Sequence, residues 1–147
     1  MKLKLRILNK IDASLRRSVI NVGMGNYCTA TTPNSLATWA LGSCVGIIIY
    51  DPLKKVGALS HCMLPEPHSI KERFDPKYVS VAIPHMISDL ERLGALRISL
   101  RAAIVGGANV LRTNSAFDIG KRNVEKAVEM LESYRIPIDV LEVGGNR

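Results

Sequence analysis

Apolar residues in the first half of the chain fall into runs that predict β-strands. Residues 18–24 and 36–41 are short extended segments with turn-forming residues between them. Two longer runs follow at 44–50 and 56–64, and Asp51-Pro52 predicts a turn where they meet. Both longer runs are apolar at nearly every position instead of alternating, so we expect central strands that are covered on both faces of a sheet.

The second half of the chain has helical spacing. Asp75-Pro76 is a typical N-cap and first-turn pair, apolar residues then recur at helical intervals, and Gly94 ends the run. Pro84 lies inside this segment and should kink the helix or delay its start. A second helix is expected to begin at Asn123 as its N-cap. Further strands are predicted at 96–105 and 136–143. This order predicts α/β layering with a mixed sheet.

The composition is that of one folded domain. The chain has 147 residues, of which 47% are hydrophobic, and this is enough for an ordinary core. No apolar run approaches the roughly 20 residues that cross a bilayer, and the basic N-terminus lacks the apolar stretch of a secretory signal. The three cysteines, Cys28, Cys44 and Cys62, match neither a disulfide framework nor a zinc-binding pattern. We therefore expect a cytoplasmic protein without membrane insertion.

The net charge of +7 is concentrated near the start of the chain. We expect residues 1–17 to form a basic N-terminal extension and residues 18–147 to form the domain. A basic surface can attract nucleic acid, acidic lipid or an acidic protein, although a solvated extension is the simpler interpretation. With one Trp, four Tyr and two Phe, the chain lacks basic residues interleaved with aromatic stacking platforms. Nucleic-acid binding would rest on charge alone, and we do not expect it.

Cys44 and His61 are the candidate catalytic pair. If Asp51 and Lys54 are the ends of a four-residue turn, the resulting register sets Cys44 directly opposite His61, with Cβ atoms roughly 4.5–5.5 Å apart. A slip of one residue would put Cys62 opposite Cys44 instead. An imidazolium stabilises a neighbouring thiolate and can later protonate departing ammonia, so the pair predicts a nucleophilic thiol in an amide-hydrolysing enzyme.

Glycines flank this pair in the sequence. Gly42 and Ser43 directly precede Cys44, where a small residue lets a substrate approach and backbone N–H groups could stabilise an oxyanion. Gly106 and Gly107 end a predicted strand without a phosphate-loop motif, and we interpret them as a tight turn near the same site. With Gly42 and Ser43, they are the candidate substrate-binding or oxyanion residues.

The simpler alternative for both reactive residues is a structural one. A cysteine and a histidine in apolar strands are usually inert core residues, and single ligands on separate strands argue against a zinc site. We expect no metal and no cofactor.

Several sequence blocks resemble the CheD family, the chemoreceptor glutamine deamidases of bacterial and archaeal chemotaxis. The matching blocks are TWALGSCV (38–45), YDP (50–52), VGALSHCMLP (56–65), IVGGA (104–108), IGKRN (119–123) and GGNR (144–147). Together they extend the resemblance from about residue 18 to the end of the chain. Members of the family usually continue into a further strand beyond the last block.

The resemblance implies a fold, a reaction and partners. The fold would be a three-layer α/β sandwich with a mixed central sheet, similar to the catalytic domain of cytotoxic necrotizing factor toxins. Selected glutamines of methyl-accepting chemotaxis receptors would be hydrolysed to glutamate, and the CheC phosphatase would be the regulator. The family's catalytic Cys, His and Thr fall on Cys44, His61 and Thr38, with Thr38 orienting His61. The alternative is a non-catalytic chemotaxis adaptor that binds receptors or CheC.

Overall fold

The structure is a computed structural model that describes residues 2–4, 17–110 and 118–145. For residues 2–4 it describes the backbone only. The strands are β1 (Lys2–Lys4), β2 (Val19–Asn21), β3 (Tyr27–Thr31), β4 (Ser35–Ala37), β5 (Val45–Asp51), β6 (Val56–Cys62), β7 (Arg101–Gly106) and β8 (Ile138–Val143). The helices are α1 (Val79–Arg92) and α2 (Ile119–Ser133), and 3-10 turns span Ile70–Glu72 and Arg97–Ser99. Within the described residues, no helix combines the length and the apolar character needed to cross a membrane.

Five strands form the central sheet in the order β3-β6-β5-β7-β8. The neighbouring pairs are antiparallel except β7 and β8, which are parallel, so the predicted mixed sheet is confirmed. Every residue of β6 is buried, and in β5 only Tyr50 is partly exposed. Because β5 and β6 have no polar face, they can lie only inside a sheet that is covered on both sides.

Helices α1 and α2 cover one face of this sheet and form the larger core with it. The predicted start of α1 at Asp75-Pro76 is wrong. The Asp75 carboxylate instead accepts the backbone N–H of Lys77 at 3.0 Å in a turn that precedes the helix. Pro84 lies inside α1, since the helix begins only five residues earlier, at Val79.

The predicted start of α2 at Asn123 is also wrong. The helix begins at Ile119, and Asp118 is its N-cap, with a carboxylate that accepts the backbone N–H of Lys121 at 3.0 Å. Asn123 therefore lies within the helix, and its side chain is fully buried. An Asn that follows a turn-rich segment is ambiguous, because the same residue type caps helices and bridges buried backbone groups.

The opposite face of the central sheet is covered by a three-stranded sheet in the order β1-β4-β2. Val22 and Leu36 from this layer pack against Ile48, Leu59 and Ala103 in a second, smaller apolar core. The molecule thus has three layers, formed by the helices, the five-stranded sheet and the three-stranded sheet. The strands predicted at 18–24 and 36–41 are only three residues long.

The basic extension contributes to this smaller sheet. β1 pairs antiparallel with β4, so that Lys2 is the register partner of Ala37. Residues 5–16, which carry the rest of the predicted extension, lie outside the described residues. The boundary at residue 17 stays a prediction.

The hairpin of β5 and β6 has a longer loop than the sequence predicts. Asp51 pairs with Val56, and the loop between them closes with a hydrogen bond from the Lys55 N–H to the Asp51 carbonyl. Lys55 adopts a left-handed conformation with φ of 57°. The two extra loop residues, Lys54 and Lys55, move the register by two positions, so His61 lies opposite Gly46, and the predicted direct pairing of His61 with Cys44 is wrong.

Candidate active site

Thr38 and His61 form the best-defined contact of the site. Thr38 directly follows β4, His61 lies in β6, and both side chains are buried. The Thr38 hydroxyl oxygen is 2.8 Å from the Val22 carbonyl oxygen and 2.8 Å from His61 Nδ1. A carbonyl can only accept, so the Thr38 hydroxyl donates its one hydrogen bond to Val22, and the Thr38 oxygen accepts a hydrogen bond from Nδ1–H. His61 is thereby held as the tautomer that carries its hydrogen on Nδ1.

The other ring nitrogen of His61 is free to act as a base. His61 Nε2 is buried and has no hydrogen-bond partner among the described residues. Burial lowers the pKa of His61 below its ordinary value of 6.5, because desolvation disfavours the imidazolium. At neutral pH the ring is therefore uncharged, with the Nε2 lone pair available to take a proton.

Cys44 lies at a bend directly before β5, and its side chain is only 8% exposed. Burial raises the pKa of the Cys44 thiol above its ordinary value of 9.0. The register places Cys44 two positions before Gly46, the residue opposite His61. Such diagonal positions in an antiparallel ladder are about 7–8 Å apart. The resting pair is thus a neutral thiol and a neutral imidazole, not the preformed ion pair that the sequence suggested.

Two glycine-rich segments are locked together around the nucleophile. The N–H of Gly107 donates to the Cys44 carbonyl at 2.8 Å, and the N–H of Ala108 donates to the Gly42 carbonyl at 2.9 Å. Gly106 has φ of 93°, and a Cβ there would lie 2.6 Å from the Cys44 carbonyl oxygen. Glycine is therefore required at 106 both for its backbone conformation and for close approach. Since the Gly107 N–H is occupied by Cys44, this glycine positions the nucleophile and cannot also hold an oxyanion.

The loop at residues 41–44 turns its carbonyl groups inwards. Its Leu41 carbonyl accepts the Cys44 N–H at 2.8 Å, and the Ser43 carbonyl accepts a side-chain N–H of Asn123 at 3.0 Å. In contrast, the backbone N–H groups of Gly42 and Ser43 donate to no atom of the described residues. Backbone N–H groups that have no acceptor within the described part of the chain, directly before a candidate nucleophile, are candidate donors to an oxyanion.

Asn123 is the site residue that sequence analysis missed. Besides Ser43, its side-chain amide donates to the Met63 carbonyl at 3.0 Å, so one carboxamide bridges the two strand ends that carry Cys44 and His61. The available signal was its position on the buried face of α2. That face consists of Gly120, Asn123, Ala127 and Leu131. A polar residue among apolar and small ones at helical spacing is an exception that needs a partner.

The described residues contain no group of three or more His, Cys, Asp or Glu side chains that could hold a metal ion. Among the described residues, Thr38 is the one hydrogen-bond partner of the His61 ring, and Cys62 lies in the helix-side core. The chemistry that this arrangement offers is therefore proton transfer and nucleophilic attack by side chains.

Comparison with known proteins assigns the chain to a family. Residues 63–147 match the family model described as CheD chemotactic sensory transduction. Over 132 residues the chain is 42% identical to the "Probable chemoreceptor glutamine deamidase CheD" of Desulforamulus reducens, covering 87% of this chain and 80% of the relative. It is 40% identical over 133 residues to the "Chemoreceptor glutamine deamidase CheD" of Halalkalibacterium halodurans, covering 87% and 82%. This protein belongs to the CheD family.

The CheD resemblance inferred from the sequence blocks is thus confirmed, and it extends to archaea. The "Probable chemoreceptor glutamine deamidase CheD" of Methanococcus maripaludis is 38% identical over 129 residues, covering 87% of this chain and 83% of the relative. Among solved structures, the Bacillus licheniformis hypothetical protein YfiH matches with a TM-score of 0.42 and 17% identity, over 74% of this chain and 45% of that one. The predicted likeness to cytotoxic necrotizing factor stays a prediction.

Proposed function

We propose that this CheD-family protein hydrolyses glutamine side chains of chemoreceptors to glutamate and releases ammonia, with Cys44 as nucleophile and His61 as acid and base. The family assignment supplies the substrate class, because the relatives bear the name chemoreceptor glutamine deamidase. The observation that carries the proposal is the buried Nε2 of His61, which has no hydrogen-bond partner among the described residues. The hydrogen bond from Nδ1–H to Thr38 keeps the ring in the tautomer whose Nε2 can accept a proton.

The reaction begins with attack on the glutamine carboxamide. The Cys44 sulfur forms a bond to the amide carbon, the thiol proton moves to His61 Nε2, and the carbonyl electron pair moves onto oxygen. Both groups start neutral, since burial raises the pKa of Cys44 and lowers that of His61. Proton transfer therefore accompanies attack, and the imidazolium that forms is stabilised by the Thr38 oxygen at Nδ1. The N–H groups of Gly42 and Ser43, which donate to no atom of the described residues, would hold the oxyanion.

Collapse of the tetrahedral intermediate releases ammonia. His61 returns its proton to the nitrogen, the carbon–nitrogen bond breaks, and a thioester to Cys44 remains. His61 Nε2 then takes a proton from water, the hydroxide attacks the thioester carbon, and Cys44 leaves as the thiol. The sum is one glutamine side chain and one water giving one glutamate and one ammonia. Each proton is carried by His61, so the mechanism uses neither a metal nor a cofactor.

The remaining partners come from the family resemblance. Regulation by the CheC phosphatase and a cytoplasmic location stay predictions. The alternative of a non-catalytic adaptor that binds receptors or CheC has no observation that favours it, since an adaptor has no need of an unpaired buried imidazole nitrogen.

The decisive experiment is a deamidation assay on the cytoplasmic domain of a chemoreceptor. Peptide mass spectrometry maps Gln-to-Glu conversion, and ammonia release gives the rate. Wild-type protein and the Cys28→Ser control, changed at a partly buried thiol of β3, should convert defined glutamines, whereas Cys44→Ser should not. Conversion that persists at the wild-type rate in Cys44→Ser rules out this mechanism. Receptor binding without conversion by any variant would favour the adaptor.

A further inference from the structure

The Asn123 side chain is placed in an energetically unfavourable way for a helix interior. It is fully buried, and its Oδ1 atom has no hydrogen-bond partner among the described residues. An unpaired buried oxygen destabilises the folded protein, so such atoms in a native structure call for an explanation. The two N–H groups of the same carboxamide are fully used, each at 3.0 Å from a backbone carbonyl. The two N–H donors of the side chain, and not its oxygen, therefore explain why asparagine occupies this buried position.

The two carbonyls that Asn123 holds belong to the two reactive segments. Ser43 immediately precedes Cys44, and Met63 lies two residues after His61. The Ser43–Cys44 peptide group is held at both ends, because its carbonyl accepts from Asn123 and its N–H donates to Leu41. A peptide plane fixed in this way restricts where the Cys44 side chain can point.

Other side chains cannot make this bridge. Two carbonyl acceptors need a side chain with two N–H donors close to the backbone, and among short side chains only that of Asn supplies them. An aspartate carboxylate of the same shape offers only acceptors and would repel both carbonyls. A leucine would leave both carbonyls buried and unpaired.

We propose that Asn123 is a positioning residue that sets the separation and orientation of the Cys44–His61 pair by tying the ends of β5 and β6 to helix α2. The inference rests on the proposed function, since it concerns the same pair. It adds that α2, which carries no reacting group, determines the geometry of attack. A misplacement of about 1 Å between reacting groups can reduce a rate by about 100-fold.

The test compares Asn123→Asp with Asn123→Ser in the receptor deamidation assay. Asn123→Asp conserves shape and removes both donors, so kcat should fall by about 100-fold while KM changes little, because the substrate-contacting surface is intact. Asn123→Ser keeps one donor and should retain more activity than Asn123→Asp. Should Asn123→Asp fail to fold, Asn123→Ser is compared with wild type in this assay and replaces Asn123→Asp in the thiol measurement below.

Leu131→Ala is the control for general loss of stability. Leu131 is fully buried on the same face of α2, in the helix-side core. Assays at a temperature where all variants are folded, checked by circular dichroism, should show an unchanged kcat for Leu131→Ala even though its Tm falls. An equal loss of kcat in Leu131→Ala and Asn123→Asp would overturn the proposal, because the effect would then be one of helix packing.

A second readout needs no receptor. The rate of Cys44 alkylation by iodoacetamide, located by mass spectrometry, is measured against pH for wild type, His61→Asn and Asn123→Asp. A positioned pair predicts that both substitutions slow alkylation at neutral pH to a similar rate. Wild-type alkylation in Asn123→Asp, or wild-type alkylation that does not depend on His61, would overturn the proposal. Alkylation that depends on Asn123 without any deamidation by the wild type would refute the proposed function alone.

Discussion

The two ends of the β5/β6 hairpin differ in how their buried polar groups are paired. At the turn, the buried Asp51 carboxylate accepts the backbone N–H groups of Leu53, Lys54 and Leu96 at 2.9–3.1 Å. At the other end, His61 Nε2 and Asn123 Oδ1 are buried without partners. Three such atoms occur among the described side chains, and these two of the three lie at the candidate active site. Because unpaired polar atoms destabilise a fold, their concentration at one end marks the place where function overrides stability.

Cys44 and Cys62, at the end of the hairpin opposite the turn, show the same contrast. Cys62 is fully buried in the helix-side core, its sulfur lies 3.5 Å from the Ser60 hydroxyl, and burial raises its pKa to about 12. Cys44 is also buried, but it lies on a bend beside the backbone N–H groups of Gly42 and Ser43, which have no acceptor among the residues that the structure describes. The residue type is the same, and the side of the sheet on which the thiol lies determines whether it can react.

Exchange of each thiol for alanine should produce opposite effects, and this is the largest effect that we expect. Cys44→Ala should lower kcat for receptor deamidation by about 10⁴-fold or more, as is typical when a nucleophile is removed. Cys62→Ala should leave kcat nearly unchanged and lower the free energy of unfolding by about 1–3 kcal/mol, because it leaves a gap in the helix-side core. Peptide mass spectrometry and urea unfolding measure the two quantities. A large loss of activity in Cys62→Ala at full folding would contradict the division between the two faces.

Thr38→Val should give the next largest effect. Valine has nearly the same shape as threonine but offers no oxygen to His61 Nδ1, so the ring loses its tautomer preference and orientation. Loss of a residue that orients a catalytic or ligating histidine typically costs about 10–100-fold, and we expect kcat to fall by that factor. Thr38→Ser keeps the hydroxyl and serves as the matched control, with activity closer to wild type. Equal activity of Thr38→Val and wild type would remove Thr38 from the mechanism.

The pH profile of kcat/KM tests the neutral resting pair. His61 must be unprotonated to accept the thiol proton, and burial lowers its pKa below 6.5. Activity should therefore hold down to a pH below 6.5 and then fall about tenfold per unit. On the alkaline side it should fall only above pH 9.0, since burial raises the pKa of Cys44 above that value. Because the neutral pair and a thiolate–imidazolium pair hold the same number of protons, the positions of the two limbs are the test. An acid limb centred at or above pH 6.5, or an alkaline limb centred below pH 9.0, would contradict the neutral pair.

The sequence predicted those parts of the fold that depend on local pattern. Continuous apolar runs identified β5 and β6 as central strands, and helical spacing identified α1. The order of apolar and polar residues shows directly whether a segment is buried on both faces or along one stripe. Strand β3, with the sequence YCTAT, was missed because it has neither a continuous apolar run nor a clean alternation. The register was wrong because it depends on the loop after Asp51, and Lys55 adopts its left-handed conformation there without the usual glycine.

The candidate site was predictable in its reactive residues and not in its supporting ones. Cys44 and His61 stood out by residue type within apolar runs. Thr38 was assigned only through the family resemblance, since its bond to His61 joins positions 23 apart, one directly after β4 and the other in the five-stranded sheet. Asn123 was misinterpreted as a cap because its bonds to Ser43 and Met63 span 80 and 60 positions. Contacts of this range follow from the tertiary fold and leave no local pattern.

Asp51→Asn changes the turn end of the β5/β6 hairpin and should have the smallest effect on activity. Although burial opposes ionisation, the N–H groups of Leu96, Lys54 and Leu53 hold the pKa of the Asp51 carboxyl below 3.8. The ionised form therefore stabilises the fold at pH values above 3.8, and this contribution is lost as the pH falls through the lowered pKa.

In Asp51→Asn, an amide NH₂ group replaces one of the accepting oxygens and faces a backbone N–H, so at least one hydrogen bond is lost. We expect the free energy of unfolding in urea at pH 7 to fall by about 1–3 kcal/mol, with kcat unchanged while the protein is folded. The difference from wild type should shrink below pH 3.8, where the wild-type carboxyl also becomes neutral. If kcat fell along with stability, the two ends of the hairpin would be coupled, and the separation between a stabilising end and a reactive end would not hold.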